Sequence, residues 1–282
     1  MKVGTVQTLW RYPVKSMLGE QLDTVPVSQL GFPGDRGYAI RDEQAGEIRG
    51  AKKIPTLLQC SARYLESPSD TYIPPAEVLL PDHTTVRTDS VDTNARLTQA
   101  LGRPVTLWPR QPAENTDHYR RKARAPSELR EILGLEEGDP LPSFEGIPED
   151  LFQYVSPLGT YFDAYPLHVL TTASLRSLSH YYPEGQFASE RFRPNVVIAS
   201  AGASDEKEEE SWKGKVIHIG EVELHVIVPT IRCVLTTLPQ GTLPKDPRIL
   251  RTLVHHHSHH LGVYVTVKRM GTIHVGDTVE VG

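Results

Sequence analysis

Sulfur is scarce in this sequence, because its 282 residues include only two cysteines, Cys60 and Cys233. Two thiols cannot form the disulfide framework of a small secreted protein, and they fit a reducing compartment. An ordinary iron–sulfur cluster takes about four thiolates, so this chain cannot hold one alone. The cysteine count therefore predicts a cytoplasmic protein, and any iron–sulfur cluster that serves it must lie on another chain.

Long apolar runs and an excess of positive charge are also absent. No apolar stretch approaches the roughly 20 residues that a membrane helix needs, and the opening "MKVGTVQTLWRYPV" lacks the apolar core of a secretory signal. The net charge of −5 argues against a nucleic-acid partner, which would normally need a basic face. We therefore expect a soluble globular protein with no membrane span and no nucleic-acid partner.

The chain is rich instead in proline and glycine, with 23 and 21 residues, which separate short β-type segments. The run "VIHIGEVELHVIV" predicts a β-hairpin that turns at Gly220–Glu221, because two alternating segments flank a glycine. Pro229 is expected to end the second strand of this hairpin, so that Cys233 lies in a loop beyond it. Further strands are predicted at residues 3–9, 36–42, 55–66, 104–108, 195–199 and 263–282.

Helical signals are fewer, and each has a recognisable start or stop. Glycine stops end predicted helices at residues 91–102 and 126–134. A third helix begins behind a cap at Thr171/Thr172. Short strands at regular spacing with a few helices predict a mainly β protein of the α+β type, built from barrels.

Two segments are predicted to lie on the surface. Residues 110–150 are rich in proline and charge, which indicates a connector wrapped over the outside of the protein. The acidic run "SDEKEEES", residues 204–211, indicates a solvated loop.

Cys233 is the first candidate for chemistry, because it follows a strand and has Arg232 beside it. One interpretation is a buried structural cysteine, since cysteine is among the most buried residue types. Cys60, inside an apolar run, fits that interpretation better. The functional interpretations of Cys233 are a nucleophile, a persulfide carrier or a metal ligand, and Arg232 could favour the thiolate that each requires. Neighbouring side chains in a regular strand point to opposite faces, so sequence adjacency alone does not place the two together.

Three basic segments lie at strand edges or tight turns, where loops commonly place functional groups. Singly, each fits a surface or salt-bridged position; together they could form an anion pocket, since Arg and Lys are the usual phosphate-binding residues. The helix start at Thr171/Thr172 adds free N–H groups that also suit a phosphate. The segments carry Lys15 and Ser16 in "YPVKS", Asp35 and Arg36 in "PGDRGY", and Arg191, Arg193 and Asn195 in "RFRPN".

The internal run "HHHSHH" carries five imidazoles between His255 and His260. Imidazole suits zinc, copper or nickel, but a structural zinc site needs four ligands at a defined spacing, which a contiguous run lacks. A flexible, pH-sensitive loop is the preferred interpretation. A hydrolase interpretation of Cys233 would need an oriented histidine base, such as His218 or His225, and no motif supports it.

Six segments follow one another in an order that resembles the MOSC superfamily, named for the C-terminal domain of molybdenum cofactor sulfurase. The resemblance is strong over residues 1–60 and 160–282 and poor over about 65–150. It implies an N-terminal MOSC β-barrel domain over residues 1–120 and a C-terminal MOSC β-barrel domain over residues 121–282, with the connector at its start. The segments are "LWRYPVKSMLGEQLD", "GFPGDRGYAI", "FDAYPLHVLTTASL", "RFRPNVVI", "PTIRCVLTT" and "LGVYVTV…GTIHVGDTVEV".

The resemblance implies that the Cys233 thiolate ligates molybdenum, the other sulfurs coming from the dithiolene of a molybdopterin cofactor, as a soft-ligand metal prefers. Lys15, Arg36 and Arg193 could neutralise the phosphate of the pterin from three separate segments. Ile231 stands where the mitochondrial relatives have serine, so any contact there is expected through the backbone. The positions that match cofactor-binding positions are Lys15, Ser16, Arg36, Asp163, Ala164, Tyr165, Arg193, Asn195, Ile231, Arg232 and Tyr264.

The relatives that the resemblance suggests are mitochondrial amidoxime-reducing components and bacterial proteins that reduce N-hydroxylated purines. It therefore implies a molybdenum-dependent oxidoreductase that reduces N-hydroxylated or N-oxide compounds, the metal doing the difficult chemistry. Because the chain ends with its predicted barrel, electrons are expected from a separate ferredoxin-, flavodoxin- or cytochrome-type protein, fed by an NAD(P)H-dependent reductase. Two alternatives stay open: a sulfur carrier or transferase that uses a Cys233 persulfide, and a non-catalytic molybdenum-cofactor carrier.

Overall fold

The secondary structure is mainly β, as a computed structural model shows for residues 1–122, 125–202 and 208–282. These ranges contain sixteen strands, six α-helices and four 3-10 helices, which confirms the predicted fold class. No helix in them has the length and apolarity to cross a membrane. The strands are β1 (Lys2–Arg11), β2 (Glu20–Leu22), β3 (Thr24–Val27), β4 (Tyr38–Asp42), β5 (Glu47–Ile48), β6 (Ser61–Tyr64), β7 (Ala76–Leu79), β8 (Thr85–Arg87), β9 (Val105–Pro109), β10 (Leu167–Thr171), β11 (Val196–Ser200), β12 (Val216–Ile219), β13 (Val222–Ile231), β14 (His260–Arg269), β15 (Gly271–His274) and β16 (Thr278–Val281). The α-helices are α1 (Thr93–Leu101), α2 (Thr116–Tyr119), α3 (Pro126–Leu133), α4 (Asp150–Gln153), α5 (Thr172–Tyr181) and α6 (Arg248–His256), and the 3-10 helices are Pro55–Gln59, Ser189–Phe192, Glu208–Trp212 and Val234–Thr237.

Seven strands close into a barrel in the order β11-β10-β14-β13-β12-β16-β1, and β2 extends the sheet beside β1. Pairing of β1 with β11 closes the barrel. Strands β10 and β11 run parallel, with α5 as the crossover between them, while the other neighbours are antiparallel. Alternate residues of β13 fill the barrel interior, since Val222, Leu224 and Val226 belong to its buried core and the residues between them are only partly buried.

A second hydrophobic core lies in the N-terminal half, between the three-stranded sheets β5-β4-β9 and β6-β7-β8 and helix α1. Residues 55–66 were predicted as one strand, and this is wrong for the first part. Pro55–Gln59 is a 3-10 helix, because Pro55 at its start has no N–H to give to a ladder and its φ suits a helical turn. Cys60 follows this helix rather than lying in mid-strand, but it is fully buried, as the structural interpretation requires.

The signals that are local in sequence gave the correct elements. Gly102 and Gly134 end α1 and α3 in the left-handed conformation, with φ of 65° and 63°. The side chain of Thr171 accepts a hydrogen bond from the N–H of Ser174 and caps α5. The hairpin β12–β13 turns at Gly220, as the sequence indicates.

The first strand of the chain belongs to the barrel of the C-terminal half, although it precedes the N-terminal core in sequence. Strand β1 pairs with β11 and β16, and β3 pairs with β15. The domain boundary at residue 120 stays a prediction. The pairings show that strands β1 and β3 of the N-terminal half belong to the same sheets as strands of the C-terminal half. The chain passes from β1 into the N-terminal core at Val14 and Met17, so the segment holding Lys15 lies at the junction.

Candidate functional site

Cys233 lies just after β13 and precedes the 3-10 helix Val234–Thr237, with its side chain partly exposed. The expectation that Pro229 ends the strand is wrong, because β13 continues to Ile231. The ladder shifts register on both sides of Pro229, and such bulges admit a residue that cannot donate a hydrogen bond. Cys60, unlike Cys233, is fully buried, and burial raises the pKa of the Cys60 thiol to about 11.

A cavity of about 770 Å³ opens beside Cys233, between the barrel, the N-terminal half and residues 125–155. Its volume is in the upper part of the range for small-molecule sites. Most of the sequence-predicted site residues line it although they come from separate segments. These are Lys15, Ser16, Arg36, Asp163, Ala164, Arg193, Ile231, Arg232, Cys233 and Tyr264.

Two predicted site residues, Asn195 and Tyr165, do not line the cavity. The Asn195 side chain is buried, where it accepts a hydrogen bond from the N–H of His168 at 3.0 Å and donates to Trp10 O at 3.3 Å. It therefore joins β1, β10 and β11 beneath the site. The Tyr165 hydroxyl donates to Gly146 O, and its ring packs against Tyr264 with centroids 5.7 Å apart.

Asp163 links two of the basic residues. Lys15 Nζ donates to Asp163 Oδ1 at 2.8 Å and to Tyr161 O at 2.7 Å, and Arg36 Nη1 donates to Asp163 Oδ2. Burial lowers the pKa of Lys15 to about 8, although Asp163 opposes the change. Burial acts to raise the pKa of Asp163, but Arg36 and Lys15 outweigh it and hold that pKa well below its ordinary value. Arg36 Nε also lies 3.7 Å from Oδ2 of the buried Asp35, so two carboxylates balance these two cations. Further positive charge at the cavity comes from Arg193 and Arg232.

Arg193 and Arg232 are buried cations without a paired carboxylate in the described ranges. Arg193 Nη1 donates to Met17 O at 2.6 Å, and its guanidinium lies 4.2 Å from the centre of the Tyr12 ring. Arg232 Nη2 donates to Phe192 O at 2.7 Å. Burial lowers the pKa of Arg193 to about 10 and also lowers that of Arg232. Arg193 Nη2 and Arg232 Nε are buried with no acceptor in the described part of the chain, so an anionic ligand would complete their hydrogen bonding.

The cavity is strongly basic in a chain whose net charge is −5. Nine basic and three acidic side chains line it, which makes it a focus of positive potential. The basic residues are Lys15, Arg36, Arg49, Lys52, Lys53, Arg121, Lys122, Arg193 and Arg232, and the acidic residues are Glu47, Glu128 and Asp163.

The sequence matches two protein-family models. The sequence model described as "MOSC domain" matches residues 159–280, and the model described as "MOSC N-terminal beta barrel domain" matches residues 3–107. The chain belongs to the MOSC family. Both ranges contribute to the lining of the cavity, the first with Cys233 and the second with Lys15 and Arg36.

The curated proteins to which this MOSC protein is similar include two amidoxime-reducing components. "Mitochondrial amidoxime reducing component 2" of Bos taurus is 27% identical over 310 residues, covering 99% of this chain and 83% of the relative. "Mitochondrial amidoxime-reducing component 1" of Homo sapiens is 27% identical over 313 residues with the same coverage. Among solved structures, the YUAD protein from Bacillus subtilis is 14% identical, with a TM-score of 0.46 and coverage of 99% of this chain and 95% of that one.

His168 is a cavity residue that sequence reasoning missed. It lies on β10 of the MOSC barrel, and its Nε2 is 3.2 Å from Leu261 O. Burial lowers its pKa to about 3, so the ring is neutral at physiological pH. Its position two residues after Pro166, at the start of a strand from the matched "YPLHVL" segment, was the available signal.

The connector was predicted only to lie on the surface, but it also forms one wall of the cavity. Leu129 and Ile132 of α3, Phe144 and Ile147 of the following loop, and Leu151 of α4 all line the cavity. The prediction that this segment lies on the surface used only its proline and charge content. The apolar residues spaced three apart in "LREI" were the signal that α3 has one face to bury.

The threonine cap of α5 led us to expect a phosphate site at the start of this helix, and this expectation is wrong. Thr171 Oγ1 and Ser174 Oγ both donate to Glu209 Oε2 at 2.6 Å, so a carboxylate already occupies that end of the helix. Glu209 is fully buried, which corrects the solvated-loop interpretation for its part of the acidic run. Residues 204–207 of that run lie outside the described residues.

The histidine run is not a flexible loop. His255 and His256 complete α6, and the N–H of His257 continues the helical pattern by donating to Leu253 O at 2.9 Å. His257 and His259 are buried, and burial lowers the pKa of His259. Among the described residues no group of three or more His, Cys, Asp or Glu side chains is arranged to hold a metal ion.

Proposed function

We propose that this MOSC protein is a molybdenum-cofactor-dependent oxidoreductase that reduces N-hydroxylated or N-oxide compounds. The observation that carries the proposal is the meeting of Cys233 with four buried cations, Lys15, Arg36, Arg193 and Arg232, at one cavity. A thiol supplies a soft ligand, and the cations suit a phosphate-bearing cofactor. The similarity to amidoxime-reducing components over nearly the whole chain supports the reaction class.

The residues present fit a molybdopterin on physical grounds. Cys233 would hold the metal through its thiolate, and Ile231 would meet the pterin through its backbone. Buried donors without acceptors, Arg193 Nη2 and Arg232 Nε, fit the oxygen-rich tail of such a cofactor. When bound, the cofactor supplies the two-electron chemistry that removes oxygen from an N–OH group.

The chain contributes binding and orientation to this reaction. Asp163 fixes Lys15 and Arg36 relative to each other, so the charges that meet the phosphate are set before the ligand arrives. Reduction of one N–OH group to N–H consumes two electrons and two protons and releases water. We place the electrons on a separate ferredoxin-, flavodoxin- or cytochrome-type protein with its NAD(P)H-dependent reductase, and we place the enzyme in the cytoplasm.

The test compares the metal and pterin content of the wild type, Cys233→Ser and Cys60→Ala. We expect Cys233→Ser to lose molybdenum and turnover of benzamidoxime, assayed with the donor and reductase. Cys60→Ala should keep both, because Cys60 is buried in the N-terminal core and does not line the cavity. Equal molybdenum in the wild type and Cys233→Ser would reject the proposal. A mass increase of one sulfur on Cys233 without bound pterin would reject it in favour of sulfur transfer.

A further inference from the structure

Residues 125–155 give the cavity a face whose chemistry differs from that of the basic residues around Cys233. Helix α3 presents Leu129 and Ile132 at a spacing of three, so both lie on one side of the helix. Phe144, Ile147 and Leu151 continue the same lining. We call these five residues the apolar wall.

The apolar wall is not part of a hydrophobic core. Leu129, Phe144, Ile147 and Leu151 are only half-buried, and in the described part of the chain none of the five belongs to the four clusters of buried apolar residues. Their partly exposed surfaces therefore face the cavity rather than a neighbouring element. Apolar surface left facing water is unfavourable, and burial of an apolar ligand group against it is favourable.

The apolar wall is held in place at both ends. Arg251 Nη1 donates to Asp139 Oδ2 at 2.5 Å and to Gly134 O at 3.3 Å, which ties the end of α3 to α6. Gly146 packs so closely on Val228 of the barrel that a Cβ there would overlap it. These contacts fix the loop that carries Phe144 and Ile147, so the wall is a formed surface before a ligand binds.

We infer that the apolar wall is the subsite for the organic substituent of the substrate, and that this substituent is an alkyl or aryl group rather than a sugar or a polar base. The inference rests on the proposed function. A cavity of about 770 Å³ has room for a cofactor on the basic side and a small organic molecule beside it. A ribose hydroxyl on the apolar wall would lose its hydrogen bonds to water and gain none.

The test is binding rather than turnover. Dissociation constants of a straight-chain series, acetamidoxime to hexanamidoxime, are measured by calorimetry on the cofactor-loaded protein. We expect the dissociation constant to fall about fourfold for each methylene, which follows from the free energy of burying one methylene. The double variant Phe144→Asn/Ile147→Asn should flatten this dependence to less than about twofold per methylene.

Leu141→Asn is the matched control, because Leu141 is an exposed residue of the same connector that does not line the cavity. This variant should keep the full dependence of the dissociation constant on chain length. If the double variant does not fold, Leu151→Asn gives the same comparison from α4. A dissociation constant independent of chain length, equal flattening by Leu141→Asn, or tighter binding of N-hydroxycytidine than of hexanamidoxime would overturn the inference. Chain-length dependence without turnover of any member would instead reject the reductase and leave the subsite standing.

Discussion

Raising the pH above about 8 is expected to remove one positive charge from the cavity, the charge on Lys15. Burial lowers the pKa of Lys15 from 10.5 to about 8, and the Asp163 carboxylate only partly opposes this. A difference of this size corresponds to about 3 kcal/mol, since one pKa unit is about 1.4 kcal/mol. The protonated amine is thus destabilised by the fold, and an anion beside Nζ would offset part of that cost.

The sign of the pH effect differs between folding and anion binding. Between pH 8 and 10.5 the folded chain has released a proton that the unfolded chain still binds, so this group makes the free energy of unfolding rise with pH. An anion favours protonated Lys15, so binding in the same range must restore the proton. Anion affinity is therefore expected to fall above about pH 8, by up to about tenfold per pH unit.

The assay is calorimetry with a phosphate monoester, which stays dianionic in this range because its second pKa is about 6. The Cys233→Ser chain is used, which removes the thiol from the cavity. Titrations at about pH 9 in two buffers of different ionisation enthalpy count the protons taken up.

We expect uptake of about one proton with Lys15 present and almost none with Lys15→Arg, whose guanidinium stays protonated. Arg193, whose pKa burial lowers to about 10, is common to both chains. Equal proton uptake by the two chains, or an affinity that rises between about pH 8 and pH 10, would refute the reasoning.

Two further predictions concern the other buried groups. Arg191→Met should lower the free energy of unfolding by about 3 kcal/mol in urea denaturation. The fully buried guanidinium donates hydrogen bonds to four backbone carbonyls, and the substitution leaves these carbonyls without that donor. Arg63→Met, at an exposed position, should change it by less than about 0.5 kcal/mol, and an equal loss in both variants would contradict the assignment. Iodoacetamide should alkylate Cys233 but not Cys60 in the folded, cofactor-free protein, since Cys60 is buried and its pKa is raised to about 11, and both after unfolding. Mass spectrometry showing Cys60 modified as fast as Cys233 in the folded chain would count against this.

The sequence was informative where structure depends on neighbours in the chain. The glycine stops at Gly102 and Gly134, the cap at Thr171 and the turn at Gly220 are each set by one or two residues, and each is found where it was predicted. The family motifs were informative about the site in the same way, because Lys15 and Cys233, which two of these motifs contain, line one cavity.

The features that could not be predicted depend on contacts between distant segments. Closure of the barrel needs β1 to meet β11, almost two hundred positions later, and no local pattern encodes that pairing. Glu209 stands in an acidic run but is buried, because Thr171 and Ser174 provide hydroxyl donors from another element. Pro229 reads as a strand end, yet the bulges around it depend on the partner strand β14.

Backbone strain and unpaired charge coincide at the cavity, and this coincidence connects the fold to an anionic ligand. Among the described residues, six other than glycine have positive φ, and three of them are Ser16, Arg36 and Arg193, at 69°, 51° and 53°. The left-handed conformation costs an L-residue about 1–2 kcal/mol, so it persists where the surroundings impose it, commonly at ligand sites. Arg193 adds the cost of a buried guanidinium with a donor that lacks an acceptor. Stability alone would favour apolar residues at such positions. A negatively charged ligand accounts for both costs, because it supplies acceptors where the strained backbone places the donors, and a neutral ligand would not offset the buried charge.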